Sequence, residues 1–581
     1  MPNEVLPISG LADVGLIEDM PSVALPPNAF SDVRNLRFRD KTIKKFPADQ
    51  ELKTGLSNVV YVAEWPSTLG KRYVVVRDDG TDCIFTVYDN AWSVVSSQGG
   101  TYSGVTGGEW QHTLFNGGYH IVFNNTNSTP IFLQDDVAGI TELPGWDSYA
   151  VETTKLQFEY DGSASLVESV ESPLTDGTKI KVIRIPRNTS ASIVSEMVTV
   201  NPSANGVLPD GTLNNIGTIS NVTSTGFDFT PQASTGGDVY RIVIVSDPVV
   251  SVTCGVIRSY GNLLVAGDLR EAGGRVLTGT VRTSDVAAPG SIPASWNPFR
   301  NGANTADEFT LASTGIITDM AELQGVLYVY TESSIHAIQQ TGSQSIPFSI
   351  GVVTSNYGCH NTGAVLEVDG KHIVYGSNDC FVFAGHPGSI SSIADGRVRN
   401  FFRNDVAIKI MRFNKYDELW FWTAAGIYVF NYRNNSWTKR DLPTGATAAS
   451  AGSSNLLFAT STIIKGVDHP TDYLATAYLE RRRFALQTEY ETETLSAIGF
   501  LVDGSGTLTA NVVTTDIPGD TSIALNTAAN DRVFSIDGAT ASYKQDIRVT
   551  GRFLNYRITH SATSSFNLSG MQLEINSGGR R

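Results

Sequence analysis

The residues of this chain whose types could do chemistry are its carboxylates, histidines and cysteines, and their spacing argues against a catalytic centre. Asp78–Asp79, Asp135–Asp136 and the series Glu489, Glu491, Glu493 offer the acidic pairs that a glycoside hydrolase would use as acid and base. Neighbours on a strand point to opposite faces, so neither Asp pair can serve one site, and both pairs sit in turn contexts where Asp supports the backbone. His112 and His120 flank one hairpin, and His360 and His372 another. Either pair could meet across strands, but two ligands without a third make a poor metal centre. Cys83, Cys254, Cys359 and Cys380 form no C-x-x-C pair and read as buried thiols. The sequence has no G-x-S-x-G elbow, H-E-x-x-H helix, phosphate-binding G-x-x-x-x-G-K-[ST] loop or sialidase-type S-x-D-x-G-x-T-W box. No catalytic residue, cofactor or metal is expected.

Two basic clusters remain, Arg481-Arg482-Arg483 and the terminal Arg580-Arg581. Each reads as a solvated charge run or as an interface that docks an acidic protein surface or a DNA backbone. The chain as a whole carries a net charge of −16. That balance opposes a protein that grips nucleic acid through its phosphates, but it suits a passage along which DNA slides. The first residues, M-P-N-E-V-L-P-I-S-G, do not read as a secretory signal, and no apolar run approaches the ~20 residues of a membrane span. A soluble protein made in the cytoplasm is expected.

The elements that would position any site are strands. With 581 residues the chain exceeds one ordinary core, and it is rich in Gly and poor in charge, as turn-rich all-β proteins are. Short apolar runs recur in pairs joined by Asp-Gly, Asn-Gly or Asn-Asn turns, each pair reading as a hairpin. Seven such units start near Lys71, Gly117, Gly261, Gln324, Asp369, Asp417 and Ser454. Where contiguous, their spacing approaches the ~40–45 residues of a propeller blade. The expected fold is all-β: a β-propeller of six or seven blades, six if the last unit only completes the first. Residues 56–150 and 251–474 would form the propeller, and 151–250 a small inserted β-domain. A sandwich-like platform would combine 1–55 with 475–581, where apolar and polar residues alternate more cleanly.

The stretch A-L-P-P-N-A-F-S-D-V-R-N-L-R-F-R-D-K-T-I-K-K-F-P, from Ala24 to Pro47, reads as one extended strand bracketed by prolines. It resembles the start of the tail nozzle proteins of short-tailed bacteriophages, also called tail tubular protein B or packaged-DNA stabilization proteins. Leu25, Pro26, Pro27, Phe30, Ser31, Asn35, Arg37 and Phe38 fit that pattern. Y-V-Y-T-E-S-S-I-H-A-I-Q from Tyr328, the run from Gly358, D-E-L-W-F-W from Asp417 and the closing R-V-T-G-R-F-L-N-Y-R-I are similar to the same family, in the same order; the insert is not clearly covered.

The resemblance implies a homo-hexameric ring in the virion tail, below the portal and adaptor. It implies contacts to the adaptor and to tail fibres or spikes, with packaged double-stranded DNA passing through the lumen without sequence-specific binding. Within that picture the arginines at 481–483 and 580–581 are interface candidates. Asp161, Glu168, Glu171 and Asp176 on the insert are candidates for the channel exit. The alternatives are a propeller that hydrolyses host glycans and one that binds a host receptor.

Overall fold

The computed structural model describes residues 4–577 apart from short stretches, chiefly 125–128, 188–193, 208–212, 272–275, 298–304, 343–347, 486–491, 518–522 and 538–541. Among the described residues seven antiparallel four-strand units follow one another, six of them separate sheets and one the first four strands of a larger sheet. They cover 59–103, 110–142, 252–310, 317–354, 365–392, 409–440, and 446–467 together with Asp49–Lys53. We number them blades 1 to 7. The first strand of each blade contacts the first strand of the next, and Ala446–Ala451 of blade 7 contacts Val59–Ser67 of blade 1. The ring therefore closes, and the protein contains a seven-bladed β-propeller.

Each unit read from the sequence turns out to be the middle pair of strands of a blade. These are the strands covered on both faces: Val74, Val75 and Val76 in blade 1, and Leu327, Val329 and Tyr330 in blade 4, are fully buried. Apolar side chains meet between consecutive blades. Tyr61 and Val76 pack with Trp110 and Val122 between blades 1 and 2, and Val62 and Val75 pack with Leu457 and Ile464 between blades 7 and 1. Continuous apolar strands are thus explained by blade-to-blade burial.

The last unit does not complete the first blade. Its outer strand is Asp49–Lys53, which pairs antiparallel with Ile464–Val467. The segment 1–55 is therefore shared between the platform and blade 7. The stretch from Ala24 to Pro47 is likewise not one strand. It changes partner every few residues, as Ala29–Phe30, Asp32–Arg34, Leu36–Arg39 and Thr42–Lys45. Asn35 breaks it with a φ of +62°, and Asp40 and Lys41, at +53° and +60°, form the tight turn of a hairpin.

The platform is a sandwich of two sheets. One runs in the order Ser542–Gly551, Glu493–Gly504, Phe566–Ser577, Thr42–Lys45, Leu36–Arg39. The other continues blade 6 outward through Asp32–Arg34 into Ala477–Ala485, Phe553–His560, Gly506–Thr515 and Asp531–Ile536. Phe38, Ile43, Ile498, Leu508, Tyr556 and Leu573 share the core between them. The insert has its own core, Ile180, Val182, Phe227, Phe229, Tyr240 and Ile242 among others, between a five-stranded and a three-stranded sheet. No described helix is long and apolar enough to cross a membrane.

Candidate functional site

Polar side chains concentrate in two places, the joint between propeller and platform and the propeller axis. The joint is built by the opening segment. Asn35 is buried, and its amide donates to Asp441 Oδ2 (2.7 Å) and to the Thr476 carbonyl (2.7 Å), while its Oδ1 accepts from the Asp441 N–H (2.8 Å). Two residues on, Arg37 crosses to blade 6. Its guanidinium meets Glu418 at 2.5 and 3.2 Å, with both side chains almost fully buried, and lies 3.5 Å from the Tyr416 ring centroid. Trp420 Nε1–H donates to the second Glu418 oxygen at 3.0 Å. Removing the acid would strand a guanidinium and an indole N–H together.

Lys45, also buried, joins the same segment to the C-terminal sheet. Its ammonium donates to the carbonyls of Ala562 (2.5 Å) and Ala475 (3.3 Å) and to His560 Nδ1 (2.9 Å). His560 Nε2 faces the Ser505 carbonyl at 3.1 Å, which fixes the neutral tautomer with its proton on Nε2. Burial first, and the Lys45 charge second, hold His560 down to about 4, and burial lowers Lys45 to about 8. The folded state therefore resists a proton that the unfolded chain accepts near 6.5. This contribution is complete above pH 6.5 and is lost as pH falls towards 4. Urea denaturation at pH 7.0 and 4.5 should show a loss on the order of 2 kcal/mol that His560→Gln removes; an equal loss in both proteins would assign the acid sensitivity elsewhere.

At the axis, charged and polar groups of the inner strands converge. Arg258 of blade 3 donates to Asp319 Oδ1 of blade 4 (2.7 Å) and to Gln111 Oε1 of blade 2 (3.2 Å). Asp319 is 1% exposed and also accepts from the Met320 and Gly363 N–H groups, each at 2.8 Å. Burial raises its carboxyl, and Arg258 opposes that. Lys409 of blade 6 donates to the Ala449 carbonyl of blade 7 at 2.7 Å. The paired histidines of blade 2 do meet: the rings of His112 and His120 stack at 4.7 Å, and the Tyr61 hydroxyl of blade 1 lies 2.7 Å from the first and 3.4 Å from the second. Burial drives both below the usual imidazole range, His120 to about 3. No cluster of three or more metal-ligating side chains occurs among the described residues. Of these axial residues, Arg258, Asp319 and Lys409 escaped the sequence reading. Their one trace is a charge at the edge of, or within, an apolar run: V-I-R-S-Y, I-T-D-M-A, K-I-M-R-F.

The other residues singled out by sequence fall apart. Arg481 is not an outward docking group. It is 1% exposed, donates to the Leu25 carbonyl at 2.7 Å and lies against the Phe484 ring, with burial lowering it to about 10. It lies in Ala477–Ala485, whose first strands-worth of residues pair with Asp32–Arg34 and so face the opening segment. Arg482 pairs with Glu480, and Arg483 sits at a bulge with φ +53°. Both are only partly exposed. Arg580, Arg581, Asp136, Glu489 and Glu491 lie outside the described residues. His372 bonds Tyr330 and the Glu322 carbonyl, while His360 packs on Tyr375. The four cysteines are free and buried.

On the insert, Asp161 and Asp176 accept from the N–H groups of Ser163 and Ser203. Glu168 and Glu171 share the strand Glu168–Glu171 but occupy opposite faces of it.

No family model and no curated protein matches the chain. Among solved structures it is similar to an extracellular domain assigned to a one component system of B. thetaiotaomicron. The identity is 9%, the match covers 87% of this chain and 100% of that one, and the TM-score is 0.21. A likeness at that level carries no functional argument.

Proposed function

We propose that this chain is a structural subunit of the nozzle of a short bacteriophage tail. Copies form a six-membered ring that continues the DNA channel below portal and adaptor, retains the packaged duplex and lets it leave at infection. The observation that carries the reading is the use made of the opening motif. Asn35, Arg37 and Phe38, which help give the sequence its resemblance, tie propeller to platform, and Leu25 joins the opening segment to the platform through Arg481. An opening segment spent on a joint suits a protein whose work is mechanical.

Two further points favour it. The propeller axis is occupied by side chains around a cavity of about 140 Å³, far too small for a duplex whose major groove alone is about 12 Å wide. DNA handled by this protein must then run between copies, which is the geometry of a ring. The net charge of −16 avoids tight phosphate contacts along the way.

Electron microscopy of the protein alone and mixed with a cognate portal–adaptor assembly tests this. A six-fold ring capping the adaptor with an open axial lumen is the expected result. A particle that stays monomeric or trimeric and ignores the adaptor would sink the proposal and leave the receptor-binding and glycan-hydrolase readings.

A further inference from the structure

The cavity at the propeller axis is lined by residues of blades 1, 2, 6 and 7 and by the segment leading into blade 5. Its volume, about 140 Å³, compares with the ~30 Å³ share of one water molecule in the liquid. It can hold several waters or one small polyatomic ion.

Three features of its wall point the same way. Lys409 presents an ammonium with three N–H donors, of which one is placed, on the Ala449 carbonyl; no carboxylate lies within ion-pair distance of it among the described residues. Gln111 turns its Oε1 to the Arg258 guanidinium, which fixes the orientation of the amide and leaves its NH₂ group directed away from Arg258. Gly363, at φ +83° and next to the lining residue Thr362, lies bare beside both side chains: a Cβ there would be in van der Waals contact, at 3.7 Å, with both Gln111 Nε2 and Lys409 Cγ.

The charges around the cavity agree. Arg258 is paired with the buried carboxylate Asp319, which two backbone N–H groups also occupy, and the carboxylate whose charge acts on Lys409 is Glu109, which shares the lining of the cavity. Glu109 is exposed at the rim, and the histidines of blade 2 are held neutral by burial. The charges balance, two cations against two carboxylates, but Asp319 is taken up by Arg258 and Glu109 stands in solvent, so the inner wall presents the Lys409 ammonium and the Gln111 amide as donors.

We propose that the axial cavity is a binding site for a small oxyanion, of phosphate or carboxylate type, held by Lys409 Nζ and Gln111 Nε2 over the bare face of Gly363. Bound there, the anion joins blade 2 to blade 6 through the segment before blade 5, where no direct bond between those strands occurs among the described residues. Its role is to lock the ring of blades, and the site does not depend on how copies of the chain assemble. Burial lowers Lys409 to about 8; the ammonium, and with it the affinity for anions, declines as pH rises through that value.

The test is calorimetric titration of the full chain with sodium phosphate, and separately with acetate, against sodium chloride at equal ionic strength and pH 6.5, together with thermal unfolding. One saturable site per chain and a Tm rise of about 2 °C over chloride are expected, both absent at pH 9.5. Phosphate and acetate separate the two chemical sources: whichever saturates first is the better fit. Lys409→Met should abolish both readouts. Because that variant removes a partner of Ala449, Gln111→Glu is the second. It sets a carboxylate beside Lys409 and Arg258, should fold at least as well as the parent, and should no longer respond to the anion. No saturable binding to the parent, or undiminished binding by the folded Gln111→Glu protein, would overturn the proposal.

Discussion

Glu418→Ala is expected to lower stability by about 3–5 kcal/mol, read as the free energy of the first urea transition, without touching an exposed surface. The carboxylate opens the second strand of blade 6, Glu418–Thr423, and holds Arg37 of the opening segment through two contacts, while also accepting the Trp420 indole N–H. Both charged side chains are out of water. Deleting the acid leaves a guanidinium whose Coulombic partner is gone, although the rings of Tyr416 and Phe46, at 3.5 and 4.6 Å, still cover it. Those ring contacts return only about 1–2 kcal/mol. Removing both charges is a different experiment. Arg37→Leu with Glu418→Leu should lose much less than the sum of the single variants, because a buried ion pair and an apolar pair of similar volume are often close in energy. A single-variant loss under about 1 kcal/mol would mean that water reaches the pair and that the joint is held by Asn35 and Lys45 instead.

Truncation separates the two tasks of the first 55 residues. A chain lacking 1–45 loses the strands Asp32–Arg34, Leu36–Arg39 and Thr42–Lys45 but keeps Phe46 and the outer strand of blade 7. Its propeller should remain closed while the platform loosens, so hydrogen exchange should quicken in Ala477–Ala485 and Phe566–Ser577, the strands that lose their neighbours on one side while keeping Phe553–His560 and Glu493–Gly504 on the other. A chain lacking 1–55 also loses Asp49–Lys53. The amides of Ile464–Val467 should then lose protection by at least ~100-fold, or about 3 kcal/mol, because their hydrogen-bonding edge opens to water. If Ile464–Val467 stays protected in the shorter chain, blade 7 does not need the N-terminal strand, and the closure described above is not what holds the ring.

The sequence exposed the middle of every blade and hid its edges. Strands such as Tyr119–Asn124 and Glu418–Thr423 are covered by neighbouring blades on both sides, so their middles, 121–123 and 419–422, are continuously apolar and stand out. The inner strands are interrupted where they meet the axis, at Arg258, Asp319 and Lys409, and these interruptions weaken the apolar signal that marks a strand. The outer strands are short or charged: Thr141–Glu142, Asp307–Thr310, Ser391–Ser392 and Asp49–Lys53. Edges with that composition resist pairing with other chains, and for the same reason they carry no local signature. The joint was half legible. The prolines and Phe30 marked the opening segment as special, but Arg37 finds Glu418 across 381 positions of sequence, a pairing set by the closed ring and by no local pattern. Arg481 misled for the complementary reason. Three adjacent arginines look solvated, yet on a strand the first of them faces inward and finds the Leu25 carbonyl.

The strand Asp49–Lys53 also imposes a schedule on the ribosome's product. It is made at the start of the chain, and its partner Ile464–Val467 appears roughly 400 residues later, so at ~5–20 residues per second it waits for roughly 20–80 s. During that time six blades can form while the seventh consists of its outermost strand alone, its other three strands still to be made, and the ring stays open. A waiting strand of the usual apolar kind would recruit the wrong edge, including one on a neighbouring nascent chain. D-Q-E-L-K, with three charges in five residues, is poorly suited to such errors. Its composition is a means of staying unpaired until the final blade leaves the exit tunnel and the circle can be fastened.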